Sequence, residues 1–399
     1  MYIDRRDFLR NGTMAAAGTL MVPKFLQALG VSNTIPNPGQ KIVVVIQLSG
    51  GNDGLNTVIP VTNDIYYKAR PRLGIQKTNS LLLTDEVGLN PSLPFFKEMY
   101  DEGSLSILNG VGYPNPDRSH FRSMDIWHTA SKSDEYLHSG WIGRYLDAQC
   151  KGCAEPTQAI EFDDLLSLAL KGETYNAIAT KDPRRLFATS NHGYLKKMVD
   201  HHHEHEAVAD YLYKTLADTL QSADYLFKES KRNPSTGNYP NSELGKSLQT
   251  IASLSFSQVN TRVYYVSLGS FDTHINQEGQ QKRLFTELNE AVAAFVKDIK
   301  SKGRFEDLLL FTFSEFGRRV NQNASGGTDH GTANNMFFIS GGLKKKGLIN
   351  PLPALSDLDN NDLKYTVDFR QVYQMVLNNW LQTDAKKILG GSFDPLGIV

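Results

Sequence analysis

Two kinds of apolar run alternate along this chain. Ile42-Val43-Val44-Val45-Ile46 is short, β-branched and continuously apolar, as expected of a strand covered on both faces. Leu105 to Val111, Val263 to Leu268, Leu308 to Phe313 and Met336 to Ser340 repeat that pattern and predict four more buried strands. Helical spacing is clearest where Leu284, Leu288, Val292, Phe295 and Ile299 recur at steps of three or four residues, before Gly303 ends the helix. Shorter helical patterns run from Trp141 to Ala148 and from Ser119 to Ala130. Strands separated by helices predict an α/β fold, a mainly parallel central sheet with helices on both faces.

Between His205 and Phe256 the pattern is helical and broken by the polar stretch Asn233 to Tyr239, which predicts a helical insertion over about residues 200–256. No internal repeat or extended low-complexity tract divides the chain, so residues 41–399 read as one large domain.

The first thirty residues differ from the rest. Arg5-Arg6-Asp7-Phe8-Leu9-Arg10 precedes a weakly polar run, Gly12 to Val22, that lacks any acidic residue. This is signal-peptide anatomy, with cleavage expected near Gly30 and a linker over residues 31–40. The paired arginines resemble the twin-arginine address, which implies the translocon as a transient partner and a periplasmic or extracellular destination. Loss of this leader, with four basic and two acidic residues, moves the formal charge from −1 to −3. Neither value suggests a nucleic-acid footprint, and no later segment reaches transmembrane length.

Cys150 and Cys153 have redox spacing but lack the surrounding pattern of a thioredoxin-like unit or a second ligand pair, so a local disulfide after export is expected. His201, His202, His203 and His205, interleaved with acids, read as a solvated helix start.

Candidate chemistry follows the strands. Asp53 stands in the sharp turn after the first strand, at the carboxyl end where open α/β sheets hold ligands. Asp272 and His274 follow the strand ending at Leu268, Glu315 and Arg318 follow the strand ending at Phe313, and Asp329 and His330 precede the strand starting at Met336. A metal site needs carboxylates and neutral imidazoles delivered from several strand ends, so Asp53, Asp272, His274, Glu315 and His330 are the expected ligands. Two imidazoles in that set favour zinc or manganese over calcium, with one or two ions. Arg318 is expected to hold substrate oxygens bidentately. Asp329 reads as an orienter of His330, and His120 as a substrate contact or a packed side chain. Ser119, at the start of a helix, reads either as a nucleophile or as an ordinary N-cap.

Taken in order, the motifs LSGGNDGLN (48–56), SHF (119–121), FDTH (271–274), SEFGR (314–318) and TDHG (328–331), with the twin-arginine leader, resemble the domain of unknown function 1501 family over nearly the whole chain. That family is similar to a distant branch of the alkaline phosphatase superfamily, which includes sulfatases and uses metal ions in phosphoryl or sulfuryl transfer. The resemblance implies an alkaline-phosphatase-like fold, Ser119 as a nucleophile sharing a metal with Asp53, and Asp272, His274 and His330 on the other metal. Glu315 stands where the superfamily's Asp-His pair begins, and Phe316 occupies the histidine position, which weakens the second metal site. The expectation is an exported metal-dependent hydrolase of a phosphate or sulfate ester, on a small molecule or glycan. Its rival is a non-catalytic binding or assembly protein of the cell envelope.

Overall fold

A computed structural model describes residues 39–149, 156–193, 195, 207–257 and 259–399. The leader, Cys150 with Cys153, and the histidine tract at 201–205 lie outside the described residues. The chain builds a nine-stranded sheet: β1 (Ile42–Leu48), β2 (Leu105–Gly112), β3 (Ala159–Phe162), β4 (Ile178–Ala179), β5 (Val263–Leu268), β6 (Leu308–Phe313), β7 (Asn334–Ile339), β8 (Gly347–Leu348) and β9 (Val367–Asp368). Their order is β8-β2-β7-β6-β1-β5-β3-β4, with β9 also pairing β2. All five expected strands form. The four additional ones have two to four residues, too few to show a hydrophobic period.

Every pairing in this sheet is parallel except those of β7, which runs antiparallel to both β2 and β6. Consequently β1, β2, β5 and β6 all end at one edge, and reversed β7 begins there. Register aligns these ends: Leu48 pairs with Leu268, and Gln47 with Phe313.

Strict alternation of side chains explains why β1 is apolar throughout. Ile42, Val44, Ile46 and Leu48 pack in one core cluster with Phe96 of α2 (Pro94–Asp101), Leu248 of α7 (Glu243–Ser255) and Leu288 of α8 (Gln277–Ser301). Val43 and Val45 belong to the opposite cluster, with Trp127 of α3 (His120–Thr129), Trp141 of α4 (Trp141–Gln149) and Tyr373 of α9 (Phe369–Met375). The result is a three-layer α/β/α sandwich. Trp127 stacks on Phe313 of β6 and on Phe369 of α9, with centroids 5.0 and 4.3 Å away, which fixes α3 against the sheet.

The remaining helices named here are α1 (Asp64–Ala69), α5 (Pro183–Ser190) and α6 (Ala207–Arg232). The expected break at 233–239 falls between α6 and α7, and Leu244, Leu248 and Ile251 of α7 pack in the main core with the sheet. No helix among the described residues is long and apolar enough to cross a membrane.

Candidate functional site

The shared strand edge gathers the motif loops because each loop inherits its starting height from an aligned strand. The turn after β1 docks on the other two: Phe271 N–H donates to the Ser49 carbonyl (3.0 Å), Gly50 N–H to Glu315 Oε1 (2.8 Å) and Asn52 N–H to Ser314 Oγ (2.8 Å). Gly50 has φ +117°, and a methyl there would collide with the Asp272 backbone nitrogen; at Gly51 (φ +75°) it would strike the Phe316 ring. Both positions therefore need glycine for conformation and for clearance. Residues after β6 return as a ribbon, Arg318–Gln322 against Thr328–His330, in which Arg318 pairs with His330.

Three imidazoles and one carboxylate converge at this edge. Asp272 Oδ1 lies 3.1 Å from His274 Nε2, 3.2 Å from His330 Nε2 and 3.6 Å from His120 Nε2, and the two Nε2 atoms of His274 and His330 are 2.9 Å apart. His120, Asp272 and His330 form a metal-competent group, with their ligand atoms within 4.8 Å of one another. Each ring is held from behind through Nδ1: His120 by Glu315 Oε1 at 2.9 Å, His274 by Asp329 Oδ1 at 3.1 Å, and His330 by the Arg118 carbonyl at 2.8 Å.

Those partners are acceptors, so they place the proton of each neutral ring on Nδ1 and leave a bare lone pair on Nε2. Lone pairs of His274 and His330 then face one another and Asp272 Oδ1, an arrangement that repels unless a proton or cation sits among them. His120 Nε2 is buried without a hydrogen-bond partner. Donors around a tetrahedral zinc ion, about 2.0–2.1 Å from the metal, stand about 3.3 Å apart, close to the spacings found here. The group of His120, Asp272 and His330 therefore fits one divalent transition metal, and His274 Nε2 stands within 3.1 Å of two of those donors.

Electrostatics prepare the same groups. Burial opposes ionisation of Asp272, but the hydrogen bond from Arg318, the adjoining His330 ring and the adjacent positive charge outweigh it and hold the carboxyl down at about 2. Burial lowers the pKa of His330 and so favours the neutral ring a metal requires. The Glu315 hydrogen bond raises that of His120, against the effect of burial.

Several expected roles change once directions are visible. Glu315, expected as a ligand, lies behind His120 and touches the cluster only through that ring. His120, expected as a substrate contact or packed side chain, points its Nε2 into the cluster instead. Asp329 orients His274 rather than His330. Arg318, expected to hold substrate oxygens, has a fully buried side chain that donates to the carbonyls of Gly50, Gly51 (2.6 Å), Phe271 (3.0 Å) and Thr328 (2.9 Å) and to Asp272 (2.7 Å). It clamps the loops. Phe316 packs on His120 and His330, with centroids 4.9 and 4.7 Å away, and forms an apolar wall.

Asp53 makes no hydrogen bond or ion pair with the imidazoles of the cluster. Its Oδ2 accepts from Arg70 Nη1 (2.5 Å) and from Gln277, while Oδ1 is buried and unpartnered. Arg70, the C-cap residue of α1, is fully buried and also donates to the Val320 and Arg319 carbonyls (both 2.9 Å) and to Asn56 (2.7 Å). Sequence reasoning missed Arg70 and Gln277, since neither belongs to a motif or follows a central strand. Ser119 is exposed at the N-cap of α3, makes no capping hydrogen bond, and stands between Arg118, whose carbonyl holds His330, and His120.

Residues 106–377 match the model of DUF1501, described as a protein of unknown function. No curated protein matches the chain. Similar solved structures include the lipoteichoic acid synthase LtaP from Listeria monocytogenes, with 10% identity, 97% of this chain and 80% of that chain covered, and a TM-score of 0.42. The PsFucS1 sulfatase from Pseudoalteromonas sp. has 9% identity, coverage of 98% and 72%, and a TM-score of 0.40. A protein in the alkaline phosphatase superfamily from Vibrio parahaemolyticus has 11% identity, coverage of 85% and 69%, and a TM-score of 0.35.

Proposed function

Because the chain belongs to the DUF1501 family, a family of unknown function, we propose its activity from the site itself: a metal-dependent hydrolase of a phosphate or sulfate ester with one resident divalent cation. The observation that carries this reading is the convergence of three Nε2 lone pairs on Asp272 Oδ1, each ring aimed by an acceptor behind it. His120, His274, His330 and Asp272 would hold the ion, and an imidazole-rich set favours zinc, then manganese. When bound, the cation supplies Lewis-acid polarisation of a phosphoryl or sulfuryl oxygen and neutralises charge that develops there.

Ser119 supplies the nucleophile in this reading. Its hydroxyl caps no helix amide and sits at the N-terminus of α3, whose dipole favours an alkoxide. Attack by Ser119 Oγ forms a serine ester and releases the substrate's alcohol, and water then frees the acid and restores the serine. Arg5 and Arg6 support export through the twin-arginine route to the periplasm or beyond.

The test is metal content and hydrolysis of aryl phosphate and aryl sulfate, measured on wild type, Ser119→Ala and His330→Ala. Turnover by the wild type that survives both substitutions sinks the proposal. A second reading, a non-catalytic envelope protein that holds one ion, is favoured by the clamping role of Arg318, which removes the expected oxyanion-binding guanidinium. A stoichiometric ion without turnover would select it.

A further inference from the structure

A cavity of about 1050 Å³ opens at the same sheet edge, over the ends of β1, β3 and β5. Its volume lies just above the usual range for small-ligand sites, far beyond what one phosphate or sulfate fills. No residue of the imidazole cluster lines it, but α3 runs from one to the other. His120, Met124 and His128 lie on one stripe of α3 at steps of four residues, about 6 Å along the axis each, and Met124 and His128 line the cavity.

The floor is built from hydrogen-bonding groups that are nine-tenths or more buried: Gln47 (3% exposed), Glu161 (3%) and His128 (7%). Gln47 Oε1 accepts from the Tyr265 hydroxyl, His128 Nε2 lies 3.2 Å from both, and Glu161 Oε2 accepts from Ser167 N–H (2.6 Å). Burial pushes the Glu161 carboxyl up to about 7, so near neutral pH it can donate as well as accept. Lys181, Arg184, Arg185, Lys231 and Lys246 stand around the cavity and outnumber the acids Asp163, Asp182 and Glu243 beside them. Lys181 pairs with Asp164 (2.7 Å), but Arg184, Arg185 and Lys246 pair with no carboxylate among the described residues.

Resting on the hydrolase reading, we propose that this cavity binds the alcohol part of the ester, and that this part is an anionic saccharide. Amide, imidazole and carboxyl groups that both donate and accept match vicinal hydroxyls, and unpaired Arg184 and Lys246 match additional sulfate or phosphate substituents. An acyl chain would desolvate the polar floor without compensating it. Phe162, the aromatic residue of the lining, is buried and offers no stacking face to a nucleobase.

Calorimetric titration of metal-free and zinc-loaded protein with a heparin-derived sulfated tetrasaccharide, its desulfated counterpart and inorganic sulfate tests this. The sulfated tetrasaccharide should bind both forms, and Arg184→Ala/Lys246→Ala should weaken it at least about tenfold with zinc content unchanged. Glu161→Gln, with its fold checked by circular dichroism, should weaken sulfated and desulfated tetrasaccharides alike. Absence of tetrasaccharide binding to the metal-free protein, or binding indifferent to these substitutions, overturns the proposal. Failure of the cluster to hold zinc removes only the zinc-loaded arm, so the two readings fail separately.

Discussion

Glu315→Gln separates a carboxylate that binds an ion from one that aims an imidazole. Glu315 is 1% exposed, and its Oε1 accepts from Gly50 N–H (2.8 Å) and His120 Nδ1 (2.9 Å). Glutamine has the same shape, its carbonyl can keep both contacts, and its amide can face Ser314 Oγ, which lies 3.4 Å from Oε2. What is lost is the charge that fixes the His120 proton on Nδ1 and makes Nε2 a better donor. Removing an outer partner of this kind costs about 10–100-fold in metal affinity, or about 1.4–2.7 kcal/mol. Loss of a direct ligand costs more. Competition against a chromophoric zinc chelator at pH 7.5, with thermal melting of the metal-free forms as a fold control, reads the difference. We expect Glu315→Gln to keep one zinc per chain at 10–100-fold lower affinity, and His330→Ala to fall further. Affinity equal to wild type, or zinc lost as completely as in His330→Ala, would refute the orienting role.

Arg70→Met leaves the Asp53 carboxylate buried beside Gln277 alone and should cost about 3–5 kcal/mol in chemical denaturation, part of it recovered in Arg70→Met/Asp53→Asn; a loss under about 1 kcal/mol would contradict the buried pair. Gly50→Ala forces a side chain into a left-handed, occupied position and should cost about 1–3 kcal/mol while weakening zinc binding, read by melting and chelator competition. In the metal-free protein, the depressed Asp272 pKa contributes stability above its ordinary value of 3.8 that is lost as pH falls toward about 2, so Asp272→Asn should flatten the acid limb of the melting curve. His120, whose pKa is raised, stabilises the metal-free fold below about 6.5 and loses that contribution as pH climbs through its folded value, whereas zinc needs the neutral ring; zinc affinity should therefore rise with pH across this range, and a flat profile would count against His120 as a ligand.

How much of this was legible beforehand follows the physics of each level. The apolar run at 42–46 announced a two-faced strand because both faces of β1 are buried, and the strand ends announced which loops meet. Direction within a loop was not legible. Whether Glu315 or His120 enters the cluster depends on where α3 lies against the sheet, which Trp127 and its stack on Phe313 decide from two turns away. Arg70 was invisible for a related reason: its partner Asp53 is seventeen residues off, and the carbonyls it holds belong to the ribbon after β6, some 250 residues distant. The reversal of β7 was equally hidden, since an apolar strand reads the same in either sense.

Arg318 carries a consequence for how the rim moves. One guanidinium secures carbonyls from three stretches that are remote in sequence, at Gly50 and Gly51, at Phe271 and at Thr328. Fraying of any one stretch strands donors that the others rely on, so the rim should open as a single cooperative unit rather than loop by loop. An ion captured there would leave at the tempo of that collective opening, held by kinetics as much as by affinity.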